Sequence, residues 1–200
     1  MTTVEFNVLF ESEVVVPLLE AGFKCRGKTL YWRDDERCLS LIRMGGRMQR
    51  PGAITYVACF RHNFLRDLNE VVPGPVSTEV FSYPFKFLPS EARAIPEYHP
   101  MNLNFETEII DYSGTLSTVS DKLVSLRTQM IHNHLPSAKQ LSPARVLDQI
   151  RRNGEDAWIE ALWIEDYERH LSNTQAEQGV GLRAKGPEST STFGDSAHLP

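Results

Sequence analysis

Residues 13–33 pass from an apolar helical segment, through a glycine, into an aromatic strand, and this stretch constrains the fold more than any other. A helix is expected over residues 3–21. There Val4, Val8, Phe10, Val14, Val15, Leu18 and Leu19 recur near helical spacing, with Glu5, Asn7, Glu11, Ser12 and Glu20 between them. Pro17 opposes it, because a proline inside a helix removes one hydrogen bond and its ring strikes the preceding turn. Either the helix kinks there, or Pro17 opens a second short helix through Glu20. Gly22 suits the left-handed residue that terminates a helix, and Phe23 can then fold back onto the apolar face.

Strands follow. Residues 28–33 form the first, Asp34, Asp35 and Glu36 a short polar turn, and residues 37–44 the returning strand. This is a hairpin pattern without the Asn-Gly or Asp-Gly pair that most favours one. Residues 45–52 form a flexible basic loop containing Gly45, Gly46, Arg47, Arg50 and Gly52. Residues 53–60 form the third strand, with Ile54, Tyr56, Ala58 and Phe60 on one face and Thr55, Val57 and Cys59 on the other. The second face is itself fairly apolar, which suits a central strand covered on both sides.

The middle of the chain is less regular. Residues 63–72 read as a short helix ended by Pro73, and residues 76–87, broken by Pro84, as an edge strand or an extended loop over the core. Residues 88–101 read as loop and 103–111 as a further strand. The period then changes to that of a helix, which starts at Ser117 or Ser120 and ends before Pro136. Ser142 and Pro143 open another, with Val146, Leu147 and Ile150 apolar, which Asn153 and Gly154 break. A last helix covers 155–171, and residues 173–200, poor in large apolar side chains, read as a disordered tail.

Composition narrows the class. An apolar content of 41% with 24% charged residues is ordinary for a globular protein. No apolar run approaches the ~20 residues of a membrane helix, and Glu5, Glu11 and Glu13 interrupt the N-terminal apolar stretch, against a signal peptide. Cys25, Cys38 and Cys59 are scattered and lack CxxC spacing, so they read as reduced thiols. The expectation is a cytoplasmic protein with no membrane partner, no cofactor and no metal. Charge is uneven: residues 22–62 carry nine Lys/Arg against Asp34, Asp35 and Glu36, although the net charge of the chain is -5. Such asymmetry can steer an anionic partner, or the two halves of one domain can neutralise each other.

At residues 17–33 a family pattern emerges. Pro17 through Lys24, then Gly27, then Leu30, Tyr31, Trp32 and Arg33 resemble the N-terminal signature of domain-of-unknown-function family 4304. The resemblance covers roughly residues 5–62 and implies a helix, a Gly-Phe-Lys turn, a hairpin and a third hydrophobic strand. Members carry a polar Gln or Asn near the end of the second strand and within the third, where this chain has Arg43, Met44, Val57 and Ala58. Some members stand in bacterial toxin–immunity neighbourhoods, so the resemblance implies a protein-binding inhibitor.

The candidate chemistry is sparse. His132 and His134 tempt a nuclease or metal reading, yet histidines two apart do not share a helical face, and a polar helix end is the simpler assignment. His62, at the end of a strand, could be a general base, but no nucleophile is placed beside it; a surface or loop-capping role is simpler. Cys59 lies among apolar residues, as a buried inert thiol does. Glu160, Glu165, Asp166 and Glu168 read as a solvated helix face, an acidic docking face or paired carboxylates.

The expected fold is α+β over residues 1–172: a leading helix, a mainly antiparallel sheet of about four to five strands, and C-terminal helices on one face. The leading functional expectation is a non-enzymatic intracellular protein-binding module, immunity-like in the sense the resemblance implies. The second is a nucleic-acid or phospholigand binder using Arg43, Arg47, Arg50 and Tyr56 with His62 nearby. An enzyme is the third, and no residue is assigned as catalytic.

Overall fold

Gly22 ends the first helical segment. It takes φ 95°, Phe23 N–H donates to Leu18 C=O at 2.9 Å, and Gly22 N–H donates to Leu19 C=O at 3.0 Å. These are the paired bonds of a left-handed helix terminus. Phe23 turns back into the core and is buried. The computed structural model describes residues 1–44, 51–66, 71–72, 80–90, 108–154 and 160–183.

Before Gly22, α1 (Thr3–Phe10) passes through a π-helical turn, Glu11–Val15, into α2 (Val16–Glu20). Thr2 and Glu5 cap the start reciprocally: Thr2 N–H donates to Glu5 Oε2 at 2.7 Å and Glu5 N–H to Thr2 Oγ1 at 3.2 Å. Val16 N–H reaches Glu11 C=O, one residue farther back than in an α-helix. The extra residue widens the turn just before Pro17, where an α-helix would need the absent N–H and would meet the ring. Pro17 thus sits in the first turn of a short helix through Glu20, joined to α1 without a break.

Pro136 is accommodated in the same way, which corrects the expectation that it ends a helix. α3 (Leu116–Gln129) starts at Thr115, whose hydroxyl caps Thr118 N–H, rather than at Ser117 or Ser120. It enters a π turn, Met130–His134, in which Leu135 N–H reaches Met130 C=O, and continues as α4 (Leu135–Gln140). α5 (Pro143–Asn153) starts at Ser142, whose hydroxyl accepts from Arg145 N–H, as its Ser-Pro pair suggests. A 3-10 turn, Glu160–Trp163, leads into α6 (Ile164–Arg183). α6 runs well past residue 172, so the expected domain boundary falls inside a helix. Its continuation at Gln175 and Ala176 is exposed and needs no apolar face, which is why poverty in apolar residues misled. Residues 184–200 lie outside the described residues, as do 155–159 of the expected last helix.

β1 (Lys24–Arg26), β2 (Thr29–Arg33), β3 (Arg37–Arg43), β5 (Tyr56–His62) and β6 (Phe85–Phe87) form one antiparallel sheet in that order. β4 (Ala53–Ile54) pairs instead with β7 (Ile110–Asp111); of the expected 103–111 strand residues 108–111 are described, and of these Ile110 and Asp111 alone are strand. The fold is therefore α+β, with a leading helix, an antiparallel sheet and C-terminal helices. Of the expected edge strand or loop over 76–87, Phe85–Phe87 is an edge strand and Tyr83 lies over the sheet, whereas Val80–Ser82 is a 3-10 turn and 76–79 lie outside the described residues. Of the expected 63–72 helix, residues 63–66 are a turn followed by irregular chain, and residues 67–70 lie outside the described residues. The backbone of Arg66 is engaged elsewhere: its N–H donates to Asp166 Oδ2 at 2.9 Å and its C=O accepts from Trp163 Nε1 at 2.7 Å.

The β2–β3 turn needs no glycine because Asp34 organises it. Its Oδ1 accepts from Glu36 N–H at 2.9 Å and Arg37 N–H at 2.6 Å, and its Oδ2 takes Arg37 Nε at 3.1 Å. Asn63, just past β5, adds two bonds to the same turn, from its N–H to Glu36 C=O at 2.7 Å and from Nδ2 to Asp34 C=O at 2.8 Å.

Leu30, Leu39, Leu41, Tyr56, Ala58, Phe60, Phe85 and Phe87 face the helices and join one core with Phe6 and Leu18 of the first helix, Leu123 and Met130, Leu147 and Ile150, and Tyr167. On the other face Cys38, Ile42, Val57, Cys59 and Tyr83 form a smaller cluster. There Ser40 Oγ and Tyr83 Oη are hydrogen-bonded at 2.8 Å. Every residue of β5 is buried, as a strand covered on both faces requires.

Asp34→Ala is expected to lower the unfolding free energy by about 1–2 kcal/mol, since two backbone donors lose a charged acceptor. A urea midpoint equal to that of the parent chain would show that the hairpin does not depend on this carboxylate.

Candidate functional site

The residues expected to form a site do not all meet. Arg43 and Tyr56 are direct cross-strand partners on β3 and β5. His62 stands at the far end of β5, roughly 20 Å away by strand rise. Arg47 and Arg50 lie outside the described residues.

Arg43 and Tyr56 border a cleft of about 280 Å³ between the first helix and the sheet. Phe10, Val15 and Leu19 form its helical wall and Leu30 part of its floor, while Glu11, Lys28 and the exposed thiol of Cys25 stand around it. Phe10 lies flat on Tyr56, with ring centroids 4.9 Å apart and planes 6° from parallel. Tyr56 is thus only 4% exposed, so its ring is not a free platform for a nucleic-acid base. Burial pushes the Tyr56 phenol well above its ordinary value, and it stays protonated. The Arg43 Nε is buried with no hydrogen-bond partner.

His62 is a core residue, which corrects the expected surface or capping role. It is fully buried, with Nδ1 2.9 Å from Tyr167 Oη and Nε2 3.3 Å from Leu141 C=O. A carbonyl only accepts, so Nε2 carries the proton and Nδ1 accepts from the tyrosine. Burial holds the His62 pKa down at about 4. His134 repeats the arrangement inside the second π turn rather than at a polar helix end. Its Nε2 lies 3.1 Å from Pro89 C=O, its ring packs on Phe87, and burial lowers its pKa to about 4. Sequence reasoning missed both because a histidine among polar neighbours shows nothing of the carbonyl it will meet.

The other candidates also resolve into structure. Cys38 and Cys59 are buried, and burial pushes both thiols up. Asp166 is 6% exposed and pairs with the Arg66 guanidinium, 2.6 Å from its terminal nitrogen, so it belongs to no solvated face. Glu168 pairs with Arg151 at 2.6 Å. Among the described residues no group of three or more His, Cys, Asp or Glu side chains could hold a metal ion, and no helix is long and apolar enough to cross a membrane.

One surface was not foreseen. The apolar residues of the first helix divide between two faces, and Phe6 and Val16 join the expected set there. Phe6, Val14, Val15 and Leu18 are buried, whereas Val4 and Val8 are 72% and 67% exposed and Val16 and Leu19 are about half so. The π turn rotates the later residues relative to the earlier ones, so one periodicity cannot describe both halves. Val4, Asn7, Val8, Ser12 and Val16 thereby line a shallow, mainly apolar surface on the outside of the helix. The signal that could have separated the faces is Phe6 and Phe10, one turn apart, whose rings stack toward Tyr112 and Tyr56. No family model, curated protein or solved structure matches the chain.

The two histidines give a signed pH dependence. Each binds its proton more weakly folded than unfolded, so its contribution is complete above about pH 6.5 and is lost as pH falls towards 4, roughly 3 kcal/mol per residue. Urea midpoints are expected to fall between pH 6.5 and 4.5, above the range in which the lowered carboxyl of Glu5 titrates. His134→Gln keeps a donor for Pro89 C=O and should flatten that slope by about half. Imidazole NMR shifts that move through a midpoint near 6.5 in the folded chain would contradict the assignment.

Proposed function

We propose that this chain is a non-enzymatic protein-binding module acting inside the cell, and that the outer face of its first helix is the contact surface. The observation that carries the reading is the division of that helix. One side is anchored in the core by Phe6, Val14 and Leu18, while the other holds Val4 and Val8 in water. Apolar side chains grouped on one exposed face mark interaction surfaces more often than scattered ones do. A rigid helix is also well suited to lie along a partner's groove. The free thiols of Cys25, Cys38 and Cys59 are in keeping with a reducing compartment. The immunity-like role implied by the resemblance to domain-of-unknown-function family 4304 is one form this activity would take.

Two features weigh against the other readings. The nucleic-acid reading loses Tyr56 as a stacking platform, since Phe10 covers the ring. The enzymatic reading gains no base from His62 or His134, whose Nε2 atoms are each directed to a backbone carbonyl.

The test is co-purification of the full chain from its native cell beside a Val4→Arg, Val8→Arg double variant. The parent chain is expected to retain a protein that cross-links to residues of α1, and the double variant to lose it. The thermal midpoint should change little, because both positions are exposed. Identical recovery with both chains, or turnover of a substrate by the purified protein, would count against the proposal.

A further inference from the structure

The cleft behind the first helix carries a second, separate reading. We infer that it binds a small amphiphile with a single carboxylate head and a short apolar body. Glu11 borders both this cleft and the outer helical face, and the other residues lining the two differ.

The chemistry follows from the walls. Phe10, Val15, Leu19 and Leu30 offer aliphatic and aromatic surface, and the volume of about 280 Å³ lies at the lower end of small-molecule pockets, so the body must be short. The polar groups converge at one place. Arg43 and Tyr56 are cross-strand neighbours on the helix-facing side of the sheet, which brings a guanidinium and a phenol side by side. Among the described residues neither side chain has an ion-pair or hydrogen-bond partner, and the Arg43 Nε is buried without an acceptor. A buried donor left unmet is costly, and the guanidinium edge matches a carboxylate with two parallel bonds. With Nε out of reach of solvent, it is the two terminal guanidinium nitrogens, which are not buried, that are left to take a carboxylate. The phenol, protonated at neutral pH, can donate to the same head group.

Charge then selects the head. Lys28 adds a second cation beside the cleft, and Glu11 adds one anion. Two cations against one anion leave the cleft with a net attraction for an anionic head. Cys25 gives the site its own reporter. It is the exposed thiol on the cleft, and Cys38 and Cys59 are buried, so an alkylating reagent reads Cys25.

The experiment uses octanoate as probe, with octanamide, octylamine and octyl phosphate beside it. Octanoate is expected to bind by calorimetry, to raise the thermal midpoint and to slow iodoacetamide alkylation of Cys25. Octanamide and octylamine should bind at least tenfold more weakly. Arg43→Met, which keeps the stem, and Leu19→Trp, which fills the mouth, should each weaken octanoate tenfold or more. Glu11→Gln should tighten both octanoate and octyl phosphate, the dianion more. Equal binding of octanoate and octanamide overturns the inference, as does octanoate affinity unchanged in both Arg43→Met and Leu19→Trp. Failure of millimolar octanoate to slow Cys25 alkylation would overturn it as well.

Discussion

The structure depends on one constraint, which is that β5 has no face to show to water. All of its residues are buried and it is hydrogen-bonded on both edges, by β3 and β6. A strand of this kind is stable only if something apolar lies on each side. On one side that is supplied by the first helix and the C-terminal helices, which share a core with Tyr56, Ala58 and Phe60. On the other, among the described residues, it is the segment carrying Tyr83, which packs against Cys38, Val57 and Cys59. The thin cover has a polar requirement. Tyr83 must find a partner for its hydroxyl, and Ser40 provides it. Arg61, at the buried end of the strand, similarly directs its guanidinium to the backbone carbonyls of His62, Leu65 and Ser82.

Much of this was legible before any coordinate. Gly22 is a helix terminus by its lack of a side chain, the apolar alternation of residues 53–60 leaves two faces to be covered, and Ser142 with Pro143 is a helix start. These are local signals, each decided by the residues that carry it. What was not legible depended on distant groups. The fate of His62 was set by Tyr167 and the Leu141 carbonyl, that of Asp166 by Arg66, and that of the Arg66 backbone by Trp163 and Asp166. The cleft likewise needed β3, β5 and the first helix together, although Arg43 and Tyr56 themselves were among the residues singled out.

The two prolines show a middle case. A proline in a helical pattern announces a local problem, and the choice among kink, fresh start and end is open from sequence. Here both answers are a π turn placed just ahead, closed by Val16 onto Glu11 and by Leu135 onto Met130. The extra residue also shifts the angular register of everything beyond it. That shift separates the buried from the exposed residues of the first helix, and it carries His134 inward to Pro89.

The clasp of Trp163 and Asp166 on Arg66 has a kinetic side. Its two backbone bonds join positions 97 and 100 residues apart in the chain. Bringing such distant segments together is entropically expensive before other contacts share the cost, whereas the β2–β3 hairpin closes over a few residues. The hairpin is therefore the natural early structure and the clasp a late one. An interaction absent from the transition state governs how slowly the native protein comes apart rather than how fast it forms. Trp163 and Asp166 act in that sense as a latch on the lifetime of the folded chain.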